Sequence, residues 1–415
     1  MQRLNAYPIY LISRGISTFA FASAFTTSAV YRFEAAGLDP LQLVLLGTAL
    51  EASVFLFEIP TGVVADLVSR RLSVVIGYVL IGLGMILEGT FPIFITILLA
   101  QIVWGAGDTF ISGAEDAWLA DEVGESRLTA VYLRGSQIAQ IAVLAGIGAN
   151  VLLANRQLNF PFFAGGLTHL LLAAFLALFM PETNFEPTPA AERNTWHKLR
   201  GTFQAGMQAI RIRPLLVTIL GISFFYGLYS EALDRLWQPQ FLENVTFPTV
   251  GNLSSVTWFG ILNAAIILIT LLTVEIARRR TQSFQHRQMT ALLATLSAVI
   301  SGALVVFGLA MNFPLAMASY STVAITRRTL QPLYSAWINR GIPSAVRATV
   351  LSTFGQMDAI GQIAGGPAVG LIANRFGMRA ALVLAGLMLS PVLLLYRRAA
   401  GQTTAVSETE TADLI

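Results

Sequence analysis

The sequence predicts an all-helical integral membrane protein with twelve transmembrane helices in two pseudo-symmetric halves of six. Of its 415 residues, 55% are hydrophobic and only 12% are charged, so polar side chains are too few to cover a soluble core of this size. Apolar runs near the roughly 20 residues that cross a bilayer recur along the chain. One long polar interruption separates these runs into two groups, which indicates the two halves.

The N-terminal half, residues 1–180, contains six of the predicted spans. We expect the first to be a retained span rather than a signal peptide, because it lacks a strongly charged leader and a small-residue cleavage site. The six runs cover residues 7–30, 41–64, 73–87, 93–119, 128–153 and 160–180.

The C-terminal half, residues 214–398, follows a polar linker at residues 181–213. We expect the linker to be cytoplasmic, and the polar tail at residues 399–415 to be cytoplasmic and disordered. The six runs of this half cover residues 215–237, 253–276, 289–311, 313–338, 345–372 and 378–396.

The distribution of basic residues predicts the orientation. If the N-terminus is cytoplasmic, most basic residues outside the spans fall on the cytoplasmic side. Such an asymmetry sets the topology of helical membrane proteins. We therefore predict a multi-pass protein of a bacterial inner membrane with both termini in the cytoplasm. The basic residues that fall on the far side are Arg32, Arg156, Arg235, Arg375 and Arg379.

The two halves resemble each other in sequence. An offset of 220 residues aligns Arg127 with Arg347 and Gly135 with Gly355, and it keeps its phase through the fifth and eleventh spans. Internal repeats of this kind are typical of secondary transporters. The chain is therefore predicted to be a parallel two-fold repeat.

The loop between the second and third spans reads "GVVADLVSRR" and carries a recognisable spacing of glycine, acid and basic pair. It resembles the signature loop of the major facilitator superfamily, although Leu67 and Ser69 depart from that pattern. The resemblance covers about the whole chain and implies the major facilitator fold. The positions that match are Gly62, Asp66, Arg70 and Arg71.

Within that superfamily the chain resembles the drug:proton antiporter branch, especially the tetracycline and macrolide efflux group. One feature departs from the branch: the fifth span reads "AGIGAN" where antiporters carry a glycine–proline element. The better match is "GGPAVG" at residues 365–370 of the eleventh span.

The signature loop predicts a cytoplasmic gate. Asp66 can face Arg70 and the N-terminus of the eleventh helix, whose dipole favours a carboxylate, and Arg70 can reach Asp121. The resemblance implies that such a cluster holds the outward-open state. The alternative is a static loop staple with no dynamic role.

Acidic residues inside the spans are the candidate coupling groups. We expect Asp108 and Glu115 to lie on one polar stripe of the fourth span with Ser112, because seven residues at about 100° each return to nearly the same face. Charged groups at this depth usually face a cavity and mark a substrate or proton path. The second and eleventh spans add Glu51, Glu58 and Asp358.

Four arginines in the spans are the available partners: Arg14, Arg134, Arg327 and Arg328. Arg328 is the repeat equivalent of Asp108, so we expect opposite charges across one cavity. The alternative is a set of static salt bridges, for example between Arg14 and Glu51 or between Arg134 and Glu115.

Aromatic side chains are expected to form the walls of that cavity, with Trp104, Tyr226 and Trp258 as the candidates. Packing against lipid or other helices is the alternative for each. Gly361 and Gly365, one turn apart in the eleventh span, predict a small-residue face for close helix packing, and Pro367 loosens the backbone there.

We therefore predict a proton-coupled transporter that exports lipophilic, cationic small molecules by alternating access. The alternatives are a proton-coupled importer of a metabolite or sugar, and a non-transporting sensor of the same fold. An enzyme is not expected, because the sequence has no nucleotide-binding loop, no metal-ligand cluster and no cysteine. The expected partners are the bilayer, a small-molecule substrate and protons, without nucleic acid, metal or cofactor, and the expected state is a monomer.

Overall fold

A computed structural model describes residues 5–185, 210–211, 213–339, 342 and 347–402. These residues form twelve long helical runs. The all-helical membrane fold predicted from the sequence is confirmed. Within the described ranges, nine of the runs are long and apolar enough to cross a membrane. The three less apolar runs are Ala6–Phe25, Phe313–Asn339 and Arg347–Phe376.

The helices follow the predicted order and differ from the predicted runs mainly by extensions at their ends. The first six are α1 Ala6–Phe25, α2 Pro40–Leu67, α3 Arg70–Thr90, α4 Phe94–Val123, α5 Glu125–Ala154 and α6 Phe160–Phe179. The second six are α7 Pro214–Asn244, α8 Ser255–Thr281, α9 His286–Leu309, α10 Phe313–Asn339, α11 Arg347–Phe376 and α12 Met378–Ala400.

The described residues fall into two compact units. One lies within Met1–Arg193 and Thr249–Ala264, and the other within Asn194–Pro248 and Ala265–Ile415. The division into halves at a linker of residues 181–213 stays a prediction, because linker residues 186–209 and 212 lie outside the described residues. The same holds for residues 403–415 of the predicted tail.

Side chains at the helix starts explain several boundaries. Asp39 caps α2 by accepting a hydrogen bond from the backbone of Gln42, whose side chain accepts one from the backbone of Asp39. Ser69 caps α3 through a hydrogen bond from the Leu72 amide at 3.0 Å. Each cap satisfies backbone groups that a helix end leaves unpaired.

The fourth run is broken, which corrects one sequence-based expectation. Its helical pieces, Phe94–Ile111 and Ala114–Val123, are separated by Ser112 and by Gly113, whose φ of +61° lies in the left-handed region. Glycine adopts this conformation without steric cost. The single polar stripe through Asp108, Ser112 and Glu115 is therefore wrong, because it assumed an uninterrupted helix between the two acids.

Small residues allow close helix packing within the N-terminal unit. A Cβ at Gly82 of α3 would lie 2.8 Å from the Gly166 carbonyl of α6, and one at Gly107 of α4 would lie 2.8 Å from the Gly77 carbonyl of α3. Backbones approach in this way where van der Waals contact has to hold helices together in lipid. The α3 helix is thereby fixed against both neighbours.

The C-terminal unit uses the same packing between α7 and α11. A Cβ at Gly361 would collide with the Phe224 carbonyl, and a Cβ at Gly365 would collide with the Leu228 carbonyl. Pro367 lies inside α11, two residues beyond this contact. The two predicted packing glycines are therefore buried against the backbone of α7.

Candidate functional site

The C-terminal unit contains a cavity of about 500 Å³ between α7, α10 and α11. Its size is that of a small-molecule site, and its lining combines aromatic rings with a few charged groups, as ligand sites usually do. Three of the candidate residues, Tyr226, Arg328 and Asp358, line it together. The sequence reasoning chose these residues separately, and the fold brings them to one place.

The strongest polar contact in the cavity is an ion pair between Arg327 and Asp234. The Arg327 Nη1 and Nη2 atoms donate to the two Asp234 carboxylate oxygens at 2.5 and 2.9 Å, and the guanidinium carbon lies 5.8 Å from the centre of the Tyr229 ring. A bidentate contact of this kind fixes both side chains. Asp234 is therefore neutralised inside the site.

Asp234 was missed by the sequence reasoning. It lies within the predicted span 215–237, where an acid is as unexpected as Asp108 is in the fourth span. A search for acidic residues inside every predicted span would have identified Asp234 as a candidate. The same span holds Glu231, which is buried and paired with Arg235 one turn away at 3.3 Å.

Asp358 is held differently from Asp234. It is half-buried in the middle of α11, and its Oδ2 atom accepts a hydrogen bond from the Gln362 side chain at 2.7 Å. The hydrogen-bond partner given by the structure is thus a neutral amide on the same helix. Asp358 is free of the bidentate clamp that holds Asp234.

Aromatic rings form the walls of the cavity. Trp237 and Tyr320 stack with centroids 4.3 Å apart and planes 9° apart, and Tyr226 meets Tyr334 edge to face at 5.2 Å. The Tyr226 hydroxyl is also hydrogen-bonded to Ser297 at 2.8 Å. Such packed rings present rigid apolar surfaces to a ligand.

The N-terminal unit places its candidate acids apart from each other. Asp108 is exposed near the C-terminal end of the first piece of α4, and no hydrogen bond or ion pair joins its side chain to another described residue. Glu115, after the helix break, accepts a hydrogen bond from Ser13 at 3.1 Å, and Ser13 is also hydrogen-bonded to Tyr78. Arg14 interacts electrostatically with Glu115.

The remaining candidates of this unit have mixed surroundings. Glu51 is half-buried near the middle of α2. Trp104 stacks on Phe25 with centroids 5.0 Å apart, which is packing within the unit. Trp258 is half-buried near the start of α8. Arg134 donates to Gln137 at 2.9 Å rather than to Glu115, so the static pair suggested for Arg134 is wrong.

The signature loop makes one of its predicted contacts. Arg70 forms an ion pair with Asp121 and also donates to the Ala117 carbonyl at 2.7 Å, both on the second piece of α4. Gly62 and Asp66 are exposed, and the Asp66 side chain forms no hydrogen bond or ion pair with a described residue. Gating by this loop stays a prediction.

The segment after α6, residues 181–185, is tied to the same loop. Glu182 accepts hydrogen bonds from the Ser69 hydroxyl at 2.7 Å and from the Arg71 amide at 3.0 Å. Arg71 itself donates to the Ala177 carbonyl. Glu122, next to Asp121, accepts from the Thr183 backbone and hydroxyl. The sequence analysis assigned this segment only to the polar linker.

A buried ion pair at the other end of α3 was also missed. The Arg32 Nε and Nη2 atoms donate to the Glu88 carboxylate at 2.7 and 3.1 Å, and the side chains are only 4% and 2% exposed. Gln101 adds a third hydrogen bond to Glu88 at 2.8 Å. The sequence reasoning counted Arg32 as a loop charge, whereas the fold buries it.

Fold and site together define a multi-pass membrane protein with a solute-sized cavity among its helices. A sequence profile described as Major Facilitator Superfamily matches residues 10–366. The chain belongs to this superfamily of transporters. A relative in Bacillus subtilis (strain 168), the uncharacterized MFS-type transporter YxaM, is 26% identical over 367 residues, which is 86% of this chain and 87% of the relative.

Solved structures of transporters share the fold at low sequence identity. The nucleoside transporter NupG is 12% identical with a TM-score of 0.77, and the match covers 96% of this chain and 100% of NupG. An inward-facing bacterial homologue of the human lysosomal transporter Spinster is 14% identical with a TM-score of 0.75, over 95% of this chain and 97% of the homologue. Identity this low shows the fold alone.

Proposed function

We propose that this protein is a proton-coupled secondary transporter that moves small organic molecules by alternating access through the cavity of its C-terminal unit. The observation that carries the proposal is that cavity, in which aromatic rings surround two arginines and two aspartates between transmembrane helices. Buried charges in membrane helices mark substrate and ion paths. The first candidate function is export of lipophilic molecules in exchange for protons.

Asp358 and Asp108 are the proposed proton carriers. A carboxylate in a bidentate ion pair with an arginine is stabilised in its charged form, and Asp234 forms such a pair with Arg327. Asp358 is held by the Gln362 amide instead. Asp108 is exposed and lacks such a clamp among the described residues. Protonation can therefore change the charge of either acid without breaking an ion pair.

Import of a polar metabolite by proton symport is the second candidate. The four charged side chains of the cavity, together with Gln331 and several hydroxyl groups, favour a polar solute more than a purely lipophilic one. Sites of this composition bind their ligands through a small number of placed polar groups. The two candidates differ in the direction of proton-driven flux.

The remaining proposals concern topology and gating. We propose a monomer in a bacterial inner membrane, with six helices on each side of a cytoplasmic linker and both termini in the cytoplasm. Arg70, Arg71 and Asp121, with Asp66 and Gly62 in the preceding helix, would hold the cytoplasmic side closed. The ion pair between Arg70 and Asp121 supports this gate.

Reconstitution into liposomes tests the proposed function. We expect a pH gradient to drive accumulation of at least one member of a panel of lipophilic dyes and polar metabolites. Asp358→Asn should abolish the gradient-driven flux, because the variant cannot exchange a proton there. Glu243→Gln, an exposed change at the end of α7, is the matched control. Equal flux with and without the gradient would refute proton coupling.

A further inference from the structure

The cavity of the C-terminal unit contains two adjacent arginines in different situations. Arg327 is clamped by Asp234 and lies against the Tyr229 ring. Arg328 also lines the cavity and is exposed, and its side chain makes no hydrogen bond or ion pair with any residue that the structure describes. Both lie near the middle of α10. Of the two guanidiniums, the described residues therefore neutralise that of Arg327 and not that of Arg328.

An uncompensated guanidinium at this position in a membrane helix is unfavourable. Ionisable groups in such segments usually pair with one another or face a water-filled path that their ligand uses. The cavity's acids do not supply the missing partner, since Asp234 is held by Arg327 and Asp358 accepts from Gln362. Arg328 therefore remains available to an anionic group that enters the cavity.

The arginine fork indicates which anionic group fits. Its donors match the two oxygens of a carboxylate, which it binds through parallel hydrogen bonds. Trp237 is half-buried and stacks on the buried Tyr320 ring, and both residues line the same cavity. The partly exposed Trp237 ring offers an apolar surface for a planar ring. Arg328 also interacts electrostatically with Tyr320, which places the charge beside this surface.

We propose that the cavity binds aromatic carboxylates, with Arg328 binding the carboxylate and the Trp237–Tyr320 pair contacting the ring. This inference rests on the proposed function, because it assigns the substrate class of the same transport site. On this proposal the site selects its ligands by their negative charge rather than by their lipophilicity. An aromatic cation of the same shape is then the weaker ligand, because it cannot form the hydrogen bonds that a carboxylate accepts from Arg328.

Three probes that share one aromatic ring and differ in charge test the inference. They are indole-3-acetate, indole-3-acetamide and tryptamine, used as competitors of tritiated indole-3-acetate in scintillation-proximity binding to the purified full-length protein. We expect indole-3-acetate to bind the wild-type protein at least about tenfold more tightly than the other two, since a charge-assisted contact is lost with each of them. Phenylacetate, phenylacetamide and phenethylamine should repeat this order.

Variants assign the effect to the arginine. Arg328→Ala should weaken indole-3-acetate binding by about tenfold or more and leave indole-3-acetamide binding unchanged, whereas Arg328→Lys should retain part of the preference. Arg375→Ala, an exposed arginine at the end of α11, is the control and should bind like wild type. Arg328→Gln replaces Arg328→Ala if that variant is not monodisperse in size-exclusion chromatography.

The outcomes separate this inference from the proposed function. Tightest binding of tryptamine, equal binding of the three probes or no binding of any would overturn the aromatic-carboxylate assignment. Gradient-driven flux of another compound in the liposome assay would still support proton-coupled transport. Conversely, carboxylate binding that depends on Arg328, without flux of any compound tested, would support the inference as a binding site and contradict the proposed transport.

Discussion

The buried ion pair between Arg32 and Glu88 gives a quantitative prediction about the N-terminal unit. Glu88→Ala removes two hydrogen bonds from Arg32 and one from Gln101. With both side chains of the pair at most 4% exposed, water cannot replace them. Breaking a buried pair by removing one partner costs about 3–5 kcal/mol. At about 2 °C per kcal/mol for a unit of this size, the melting temperature should fall by roughly 6 °C or more.

Thermal unfolding of the purified protein in detergent, followed by intrinsic fluorescence, measures this loss. The double variant Arg32→Met with Glu88→Met should recover much of it, because replacing both charges with apolar groups removes the uncompensated guanidinium. Glu275→Ala is the control, since Glu275 forms exposed pairs with Arg278 and Arg279 at the end of α8 and should leave the melting temperature unchanged. A Glu88→Ala protein that melts within 1 °C of wild type would refute this reasoning.

Three further predictions concern transport. Gly365→Leu should abolish flux without preventing membrane insertion, because an added side chain collides with the α7 backbone, and wild-type flux in this variant contradicts the packing. Gly302→Leu is the control and should transport normally, because a Cβ added at Gly302 meets no atom within 4 Å. Asp66→Asn should shift spin-label distances between the C-terminal end of α2 and the N-terminal end of α11 toward an inward-open state, and unchanged distances in well-expressed protein leave only the static loop. Asp108→Asn should eliminate gradient-driven flux while sparing substrate exchange at zero gradient. Full accumulation by stable Asp108→Asn protein would remove Asp108 from the proposed proton carriers and leave Asp358.

The sequence was sufficient for the fold because bilayer-spanning helices are encoded locally. An apolar run of about 20 residues is detectable without knowing its neighbours. The contact between Arg70 and Asp121 was also predictable, since both residues lie next to loops at the end of adjacent helices. Local spacing and helix order decide such features.

Contacts inside the helix bundle were harder to predict because they depend on helix rotation and on breaks. The positive φ of Gly113 interrupts α4 and separates Asp108 from Glu115, which no periodicity argument indicates. Arg32 was assigned to a loop, yet a π-helical turn at Tyr31–Ala35 continues the chain and buries it against Glu88. Distant partners such as Asp234 and Arg327 meet only once both helices are placed.

Proton movement coupled to substrate is the most direct test of the proposed function. Liposomes containing the purified protein and the pH-sensitive dye pyranine would be given a substrate gradient at equal pH on both sides, with the membrane potential clamped by valinomycin and potassium. We predict a change in internal pH that requires the protein and is lost in both Asp358→Asn and Asp108→Asn. Substrate entry without any change in internal pH would contradict proton coupling.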